Sequence, residues 1–191
     1  MTVGLQHVTL LAMVAVIAAT LFRGFSIQRT TSDRPWAFVS AQGLQRIAGS
    51  TFALSVVVLF AAAALASAGS TILTILAAIV APIGAATVIV AQVQMGRAWR
   101  VGVREGDAPL FVSHGLFRFS RNPIFVGMML VGLGAVLVSG TWWSWLALVV
   151  FVGSCFVQVR IEEAHLEASF GEAYHAFQAK VPRWLGIGGR K

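Results

Sequence analysis

A basic cluster precedes one of the apolar stretches near the C-terminal end of this chain. It consists of Arg118, Arg121 and Asn122, which lie within the five residues before Pro123, where the apolar stretch begins. Proline is favoured as the first residue of a helix, and asparagine is favoured immediately before it. Free N–H groups and the positive end of the helix dipole make such a terminus suitable for anions. With Arg121 beside it, this terminus would suit a carboxylate or a phosphate.

An acidic cluster, Glu162 and Glu163, follows the last apolar stretch. A carboxylate pair can bind a metal ion, exchange protons, accept hydrogen bonds from hydroxyl groups or offset a cation. The four histidines have no metal-ligand spacing, so we expect no metal site. Salt bridges between these glutamates and Arg160 or the basic cluster are the structural alternative to a functional role.

The composition predicts the elements that must hold these clusters. Of the 191 residues, 58% are hydrophobic and only 11% are charged, against roughly 25% charged in soluble domains. Backbone groups in lipid must be satisfied within the chain, so the apolar runs predict transmembrane helices. We expect an all-α polytopic membrane protein that forms a single domain over residues 1–191. The five predicted spans are residues 5–22, 48–66, 72–93, 123–138 and 142–159.

The positive charges predict the topology. All 14 Lys and Arg residues fall within 23–46, 97–121 and 160–191. Five spans place these three regions on the same side of the membrane, and the positive-inside rule makes that side cytoplasmic. We therefore expect the N-terminus outside, with the C-terminus and both polar clusters in the cytoplasm. This loop distribution explains the net charge of +7 without nucleic acid as a partner.

The segment after the fifth run has a different pattern. Its apolar residues recur at helical spacing and predict one face of an amphipathic cytoplasmic helix over about 160–181. That face consists of Leu166, Phe170, Tyr174, Phe177 and Val181. If the fourth and fifth spans pack as a hairpin, the basic and acidic clusters meet at their cytoplasmic ends.

Three motifs resemble the isoprenylcysteine carboxyl methyltransferase and phospholipid methyltransferase group. Residues 113–127, SHGLFRFSRNPIFVG, resemble the family signature Gly-x-x-Arg-x-x-Arg-His-Pro-x-Tyr-x-Gly. Residues 95–102 resemble the end of the preceding helix, and 160–174 resemble a Glu-Glu motif followed by Phe-Gly-x-x-Tyr. The order and spacing fit over roughly 92–184. Asn122 stands in place of the usual His, and Phe125 in place of the usual Tyr.

The resemblance implies S-adenosylmethionine as cofactor, leaving as S-adenosylhomocysteine, in a pocket of the last helices and cytoplasmic loops. It implies that Arg118 faces the acceptor, and that Glu163 or His114 is the base where an amine or thiol must lose a proton. The implied cofactor-binding residues are Val112, His114, Gly115 and Leu116 on the adenine side, Arg121, Asn122, Pro123 and Phe125 near the amino-acid end, and Glu162 and Glu163 at polar groups.

The predicted function is methyl transfer to a lipophilic or membrane-accessible carboxylate, amine or thiol, with membrane lipids as neighbours. The chain has no Gly-x-Gly-x-x-Gly after a strand, which excludes the soluble Rossmann-like methyltransferase class. One alternative is an NADPH-dependent membrane reductase of the sterol-reductase type. The other is a small non-catalytic membrane protein. The sequence identifies neither the methyl acceptor nor the oligomeric state.

Overall fold

The computed structural model describes residues 2–31, 42–67, 69–96, 99 and 112–186. Over these ranges the chain is helical and contains no strand, which confirms the all-α fold class. A short 3-10 turn, Gly115–Arg118, precedes the fourth helix. The α-helices are α1 (Thr2–Thr31), α2 (Gly43–Ala64), α3 (Thr71–Met95), α4 (Pro123–Ser139), α5 (Trp142–Phe170) and α6 (Glu172–Lys180).

Four of these helices are long and apolar enough to cross a membrane. They are α2, α3, α5 and the part of α1 between Gly4 and Arg29. Helix α4 is also apolar but has only 17 residues, as the short fourth run predicts. It contacts α1, α2, α3 and α5, so protein rather than lipid surrounds much of it. A helix in that position avoids the mismatch that a short lipid-facing helix would create.

Two helices continue well beyond their predicted ends. Helix α1 runs to Thr31, so Arg23 lies inside it and its Nη2 donates a 2.6 Å hydrogen bond to the carbonyl oxygen of Gly96 at the end of α3. Helix α5 does not end near Val159 but continues through the glutamates to Phe170. The apolar run marks where lipid contact ends, whereas Arg, Glu and Ala are themselves good helix formers and extend the helix.

The predicted C-terminal helix over 160–181 is divided between two helices. Gly171 has a φ of 48°, a left-handed conformation that ends α5 and begins α6. The predicted apolar face is nonetheless confirmed, since its five residues pack into one cluster. That cluster consists of the buried Tyr174, Phe177 and Val181 with Leu166 and Phe170 against them.

Glycines allow α3 and α4 to approach closely. A Cβ atom built on Gly84 would lie 2.6 Å from the carbonyl oxygen of Gly127, and one on Gly127 would lie 2.6 Å from that of Gly84. Further along α4, a Cβ on Gly134 would lie 2.7 Å from the Cβ of Ala81. Such contacts between small residues are a common means of helix packing in membranes. They fix the position of α4, and therefore of its first residue, Pro123.

We expect Gly84→Ala to destabilise the protein, because the added methyl group meets backbone that cannot move freely. Overpacking of this kind costs about 1–3 kcal/mol. Gly153→Ala is the matched control, since Gly153 on α5 has nothing within 4 Å of an added Cβ. Thermal unfolding in detergent measures both. Equal melting temperatures for the two variants would contradict the close α3–α4 contact.

Candidate active site

The centre of the site is the buried carboxylate of Glu163 on α5. Its Oε1 lies 3.2 Å from Nη1 of Arg121, just before α4. Its Oε2 accepts a 2.9 Å hydrogen bond from Nε of Arg183 and lies 2.7 Å from Nη2 of the same residue. Both contacts from Arg183 end on the same oxygen, and hydrogen bonds between charged groups such as these are stronger than those between neutral groups. The acidic and basic clusters therefore meet, as the hairpin model predicts.

Asn122 occupies the predicted N-cap position of α4, and Pro123 is the first helical residue. Its side chain does not cap the helix, which differs from the sequence expectation. Instead, Nδ2 donates to the carbonyl oxygen of Arg183 at 3.1 Å and to Oε1 of Glu163 at 3.4 Å. The Asn122 side chain therefore connects the start of α4 with Glu163 of α5 and with the C-terminal tail.

The tail after α6 is bonded to the segment before α4. The backbone N–H of Arg121 donates to the Pro182 carbonyl oxygen at 2.9 Å, and the Ser120 hydroxyl donates to that of Arg183 at 3.3 Å. Trp184 packs on Phe156 of α5 with ring centroids 4.7 Å apart. Sequence reasoning missed Ser120 and Arg183. The one available signal was a basic residue directly after Pro182, in a chain whose buried acidic cluster needs a cation.

Arg121 is nine-tenths buried and retains binding capacity. Its side chain is 10% exposed, and its Nε has no hydrogen-bond partner among the described residues, whereas Nη1 is engaged in the ion pair with Glu163. Buried donors without an acceptor cost free energy, so a ligand that accepts from them gains affinity. Arg121 and Arg183 both pair with Glu163, so two guanidinium groups share one carboxylate. This arrangement fits a carboxylate ligand.

Tyr174 and Arg183 keep their ordinary protonation states beside this cluster. Burial raises the pKa of Tyr174 to about 12, with a further rise from the charge of Glu163 and opposing effects from Arg121. The hydrogen bond to Glu163 raises the pKa of Arg183. At physiological pH the tyrosine is therefore a neutral hydroxyl group and the arginine a cation.

The residues expected on the adenine side lie against the end of α3. The backbone N–H of Leu116 donates a 2.8 Å hydrogen bond to Oε1 of Gln94, and Gly115 has a φ of 60°. A side chain at Gly115 would collide with that of Gln94. Val112 is partly buried, whereas the His114 side chain is exposed. Gln94 is a third residue, after Ser120 and Arg183, whose role the sequence did not reveal.

The other predicted residues lie around this cluster. Arg118 is exposed, and Glu162 is partly exposed. The cations Arg121 and Arg183 pair with Glu163 rather than with Glu162. Phe125 is partly buried and meets Phe52 of α2 edge to face, with ring centroids 6.5 Å apart. Three further arginines of the region 97–121 lie outside the described residues: Arg97, Arg100 and Arg104.

Comparison with known proteins identifies the class to which this fold and site belong. Residues 72–173, more than half of the chain, match the phospholipid methyltransferase family. The chain therefore belongs to that family, and the matched segment contains Arg121, Asn122 and Glu163. No solved structure is significantly similar to the chain.

Two individual proteins show similarity over shorter stretches. The protein-S-isoprenylcysteine O-methyltransferase of Schizosaccharomyces pombe is 30% identical over 100 residues, covering 51% of this chain and 42% of that protein. An uncharacterized protein of Haemophilus influenzae is 32% identical over 63 residues, covering 32% of this chain and all of that protein. The chain thus spans less than half the length of the Schizosaccharomyces pombe enzyme.

We expect Arg183→Ala to release the C-terminal tail from the segment before α4. A hydrogen bond to a charged group is worth about 1.5–3 kcal/mol, so the amide of Arg121, which bonds to Pro182, should exchange about tenfold faster or more. Hydrogen–deuterium exchange with mass spectrometry measures this rate. Lys180→Ala removes an exposed cation from the last turn of α6 and serves as the control. Unchanged exchange in Arg183→Ala would show that the tail is held by other contacts.

Proposed function

We propose that this protein is a membrane methyltransferase that uses S-adenosylmethionine, with the amino-acid end of the cofactor at the start of α4. The observation that carries the proposal is the buried guanidinium of Arg121. Its Nε is a donor without a hydrogen-bond partner among the described residues, and Arg121 lies directly before the N-terminal residues of α4, a helix within the family segment. A helix N-terminus and an arginine together favour a carboxylate.

The residues present fit the three parts of this cofactor. Arg121 and the start of α4 suit its carboxylate, and Glu162, partly exposed beside the ion-paired Glu163, suits its ammonium group. The segment 112–116 offers the apolar side chains of Val112 and Leu116 to the adenine ring. The bound cofactor supplies a methyl group already activated on a sulfonium.

The protein then has to align the acceptor with that methyl group, which requires position rather than a strong acid or base. We assign Glu163 to holding Arg121, because its carboxylate is already engaged by two guanidinium groups and Asn122. Arg118 is exposed and free to face the acceptor. A carboxylate acceptor needs no base, and for an amine or thiol the exposed His114 is the remaining candidate.

A lipophilic acceptor follows from the surroundings of the site. It lies at the ends of apolar helices, where a membrane lipid or a prenylated molecule can reach it from the bilayer. The name of the Schizosaccharomyces pombe relative, an isoprenylcysteine O-methyltransferase, supports an acceptor of this kind. The distribution of Lys and Arg supports a site on the cytoplasmic face, with the N-terminus outside.

Calorimetry of S-adenosylhomocysteine with the detergent-purified protein tests this proposal, with NADPH as the parallel ligand. We expect micromolar binding of S-adenosylhomocysteine alone. Arg121→Gln removes a charged donor worth about 1.5–3 kcal/mol and should weaken binding about tenfold to hundredfold. Arg160→Gln, which removes an exposed arginine from α5, should bind as the unaltered protein does.

Three other outcomes would contradict the proposal in different ways. Binding of NADPH alone would indicate a membrane reductase. Binding of neither ligand by folded protein would indicate a non-catalytic membrane protein. Equal affinity in Arg121→Gln and Arg160→Gln would remove the cofactor carboxylate from Arg121.

A further inference from the structure

An apolar cavity of about 190 Å³ lies among α1, α2, α4 and α5, and its lining includes none of the residues that form the ion pairs of Glu163. Nearly all of its wall is hydrocarbon, with Thr20 as the one polar residue that contributes a side chain. Each of the four helices contributes to the wall. Its lining includes Met13, Val56, Leu59, Met128, Gly132 and Phe151.

The size and lining of the cavity fit part of a hydrocarbon chain. An apolar cavity of about 150 Å³ stays free of water and takes up benzene. The present cavity is larger, so it can hold a chain segment of several carbons. Hydration would be unfavourable here, since a buried water needs two or more polar partners.

One side of the cavity opens towards lipid. Ile17 and Leu21 of α1 line it and are also 39% and 45% exposed on the surface of the helix bundle. Both lie within the part of α1 that is apolar enough to cross a membrane. A chain that resides in the bilayer can therefore enter between the helices without crossing water.

One lining residue connects the cavity with the first turn of α4. Phe52, which lines the cavity, packs against Phe151 with ring centroids 5.0 Å apart and meets Phe125 edge to face. Phe125 belongs to the first turn of α4, two residues after Pro123. Gly132 lies about 14 Å from Pro123 along that helix, at 1.5 Å per residue. On α4 the cavity is lined by Met128, Val131 and Gly132, the first of which lies about 7.5 Å beyond Pro123 along the helix.

Gly132 differs from the other glycines of α4. Gly127 and Gly134 fit against α3, and a side chain on either would collide with that helix. A Cβ on Gly132 would instead approach Leu148 at 3.1 Å and Leu59 at 3.4 Å, and Leu59 also lines the cavity. The missing side chain of Gly132 thus contributes to the cavity volume rather than to the α3–α4 contact.

We propose that this cavity holds the hydrocarbon chain of the methyl acceptor, and that Val56, Leu59 and Gly132 set the length of chain that fits. The inference rests on the proposed function, since it takes the bound chain to belong to the molecule that is methylated. In either case the cavity holds a single hydrocarbon chain. That chain is the prenyl group of a thioether or the acyl chain of a phospholipid.

Photolabelling in detergent, without cofactor, tests the inference. The probes are an S-prenyl N-acetylcysteine and a phosphatidylethanolamine, each with a diazirine at the end of its chain. We expect labelling of Met13, Leu59 or Met128, mapped by mass spectrometry. Val56→Phe fills the cavity and should reduce this labelling about tenfold through lost burial of the chain. Val57→Phe, at the neighbouring residue with 64% exposure, is the matched control and should label normally.

Val16→Phe fills the cavity from α1 and repeats the test if Val56→Phe does not fold. Equal labelling of Val56→Phe and Val57→Phe, or labelling only of residues outside the cavity, would overturn the inference. The prenyl and acyl probes identify the source of the chain, and labelling by either supports it. Calorimetry of S-adenosylhomocysteine on the same samples is independent of the cavity. If S-adenosylhomocysteine does not bind but labelling is normal, the proposed cofactor is refuted, whereas the cavity as a site for a hydrocarbon chain is supported.

Discussion

A carboxylate buried at the end of an apolar helix requires cations, and in this protein Glu163 finds them in two segments distant in sequence. Arg121 comes from the segment before α4, and Arg183 comes from the tail after α6. Leaving such a group unpaired costs several kcal/mol, so the end of α5, the start of α4 and the tail are stable only together. The position of Arg121, on which ligand binding depends in our proposal, follows from this requirement.

The two departures from the family signature have structural roles. Asn122, in place of His, donates to both Glu163 and the backbone of Arg183. An amide group carries two N–H donors, so it can make both contacts without a change in protonation. Phe125, in place of Tyr, lacks a hydroxyl group, and its ring instead lies against Phe52. The first turn of α4 therefore presents polar groups to the ion-pair cluster and an aromatic ring to the bundle.

The sequence predicted what depends on local patterns. Long apolar runs identify the spans, and the spacing of Leu166, Phe170 and Tyr174 identifies a buried face. It did not predict the helix ends, because the residues around Glu163 continue a helix outside the apolar run. Nor did it predict that Arg183 binds Glu163, that Gln94 binds Leu116 or that Arg23 binds Gly96. Those contacts depend on the packing of helices far apart in the chain.

The segment shared with the family and the rest of the chain contribute differently to this structure. Residues 72–173 contain α4, most of α3 and all of α5, together with Arg121, Asn122 and Glu163. Helices α1 and α2 lie before that segment, yet they provide eight of the twelve residues that line the apolar cavity. In our proposal, substitutions in these two helices change which hydrocarbon chain fits the cavity, while Arg121, Asn122 and Glu163 of the family segment keep their contacts. The residues that would select a hydrocarbon chain are therefore largely separate in sequence from those that would bind the cofactor.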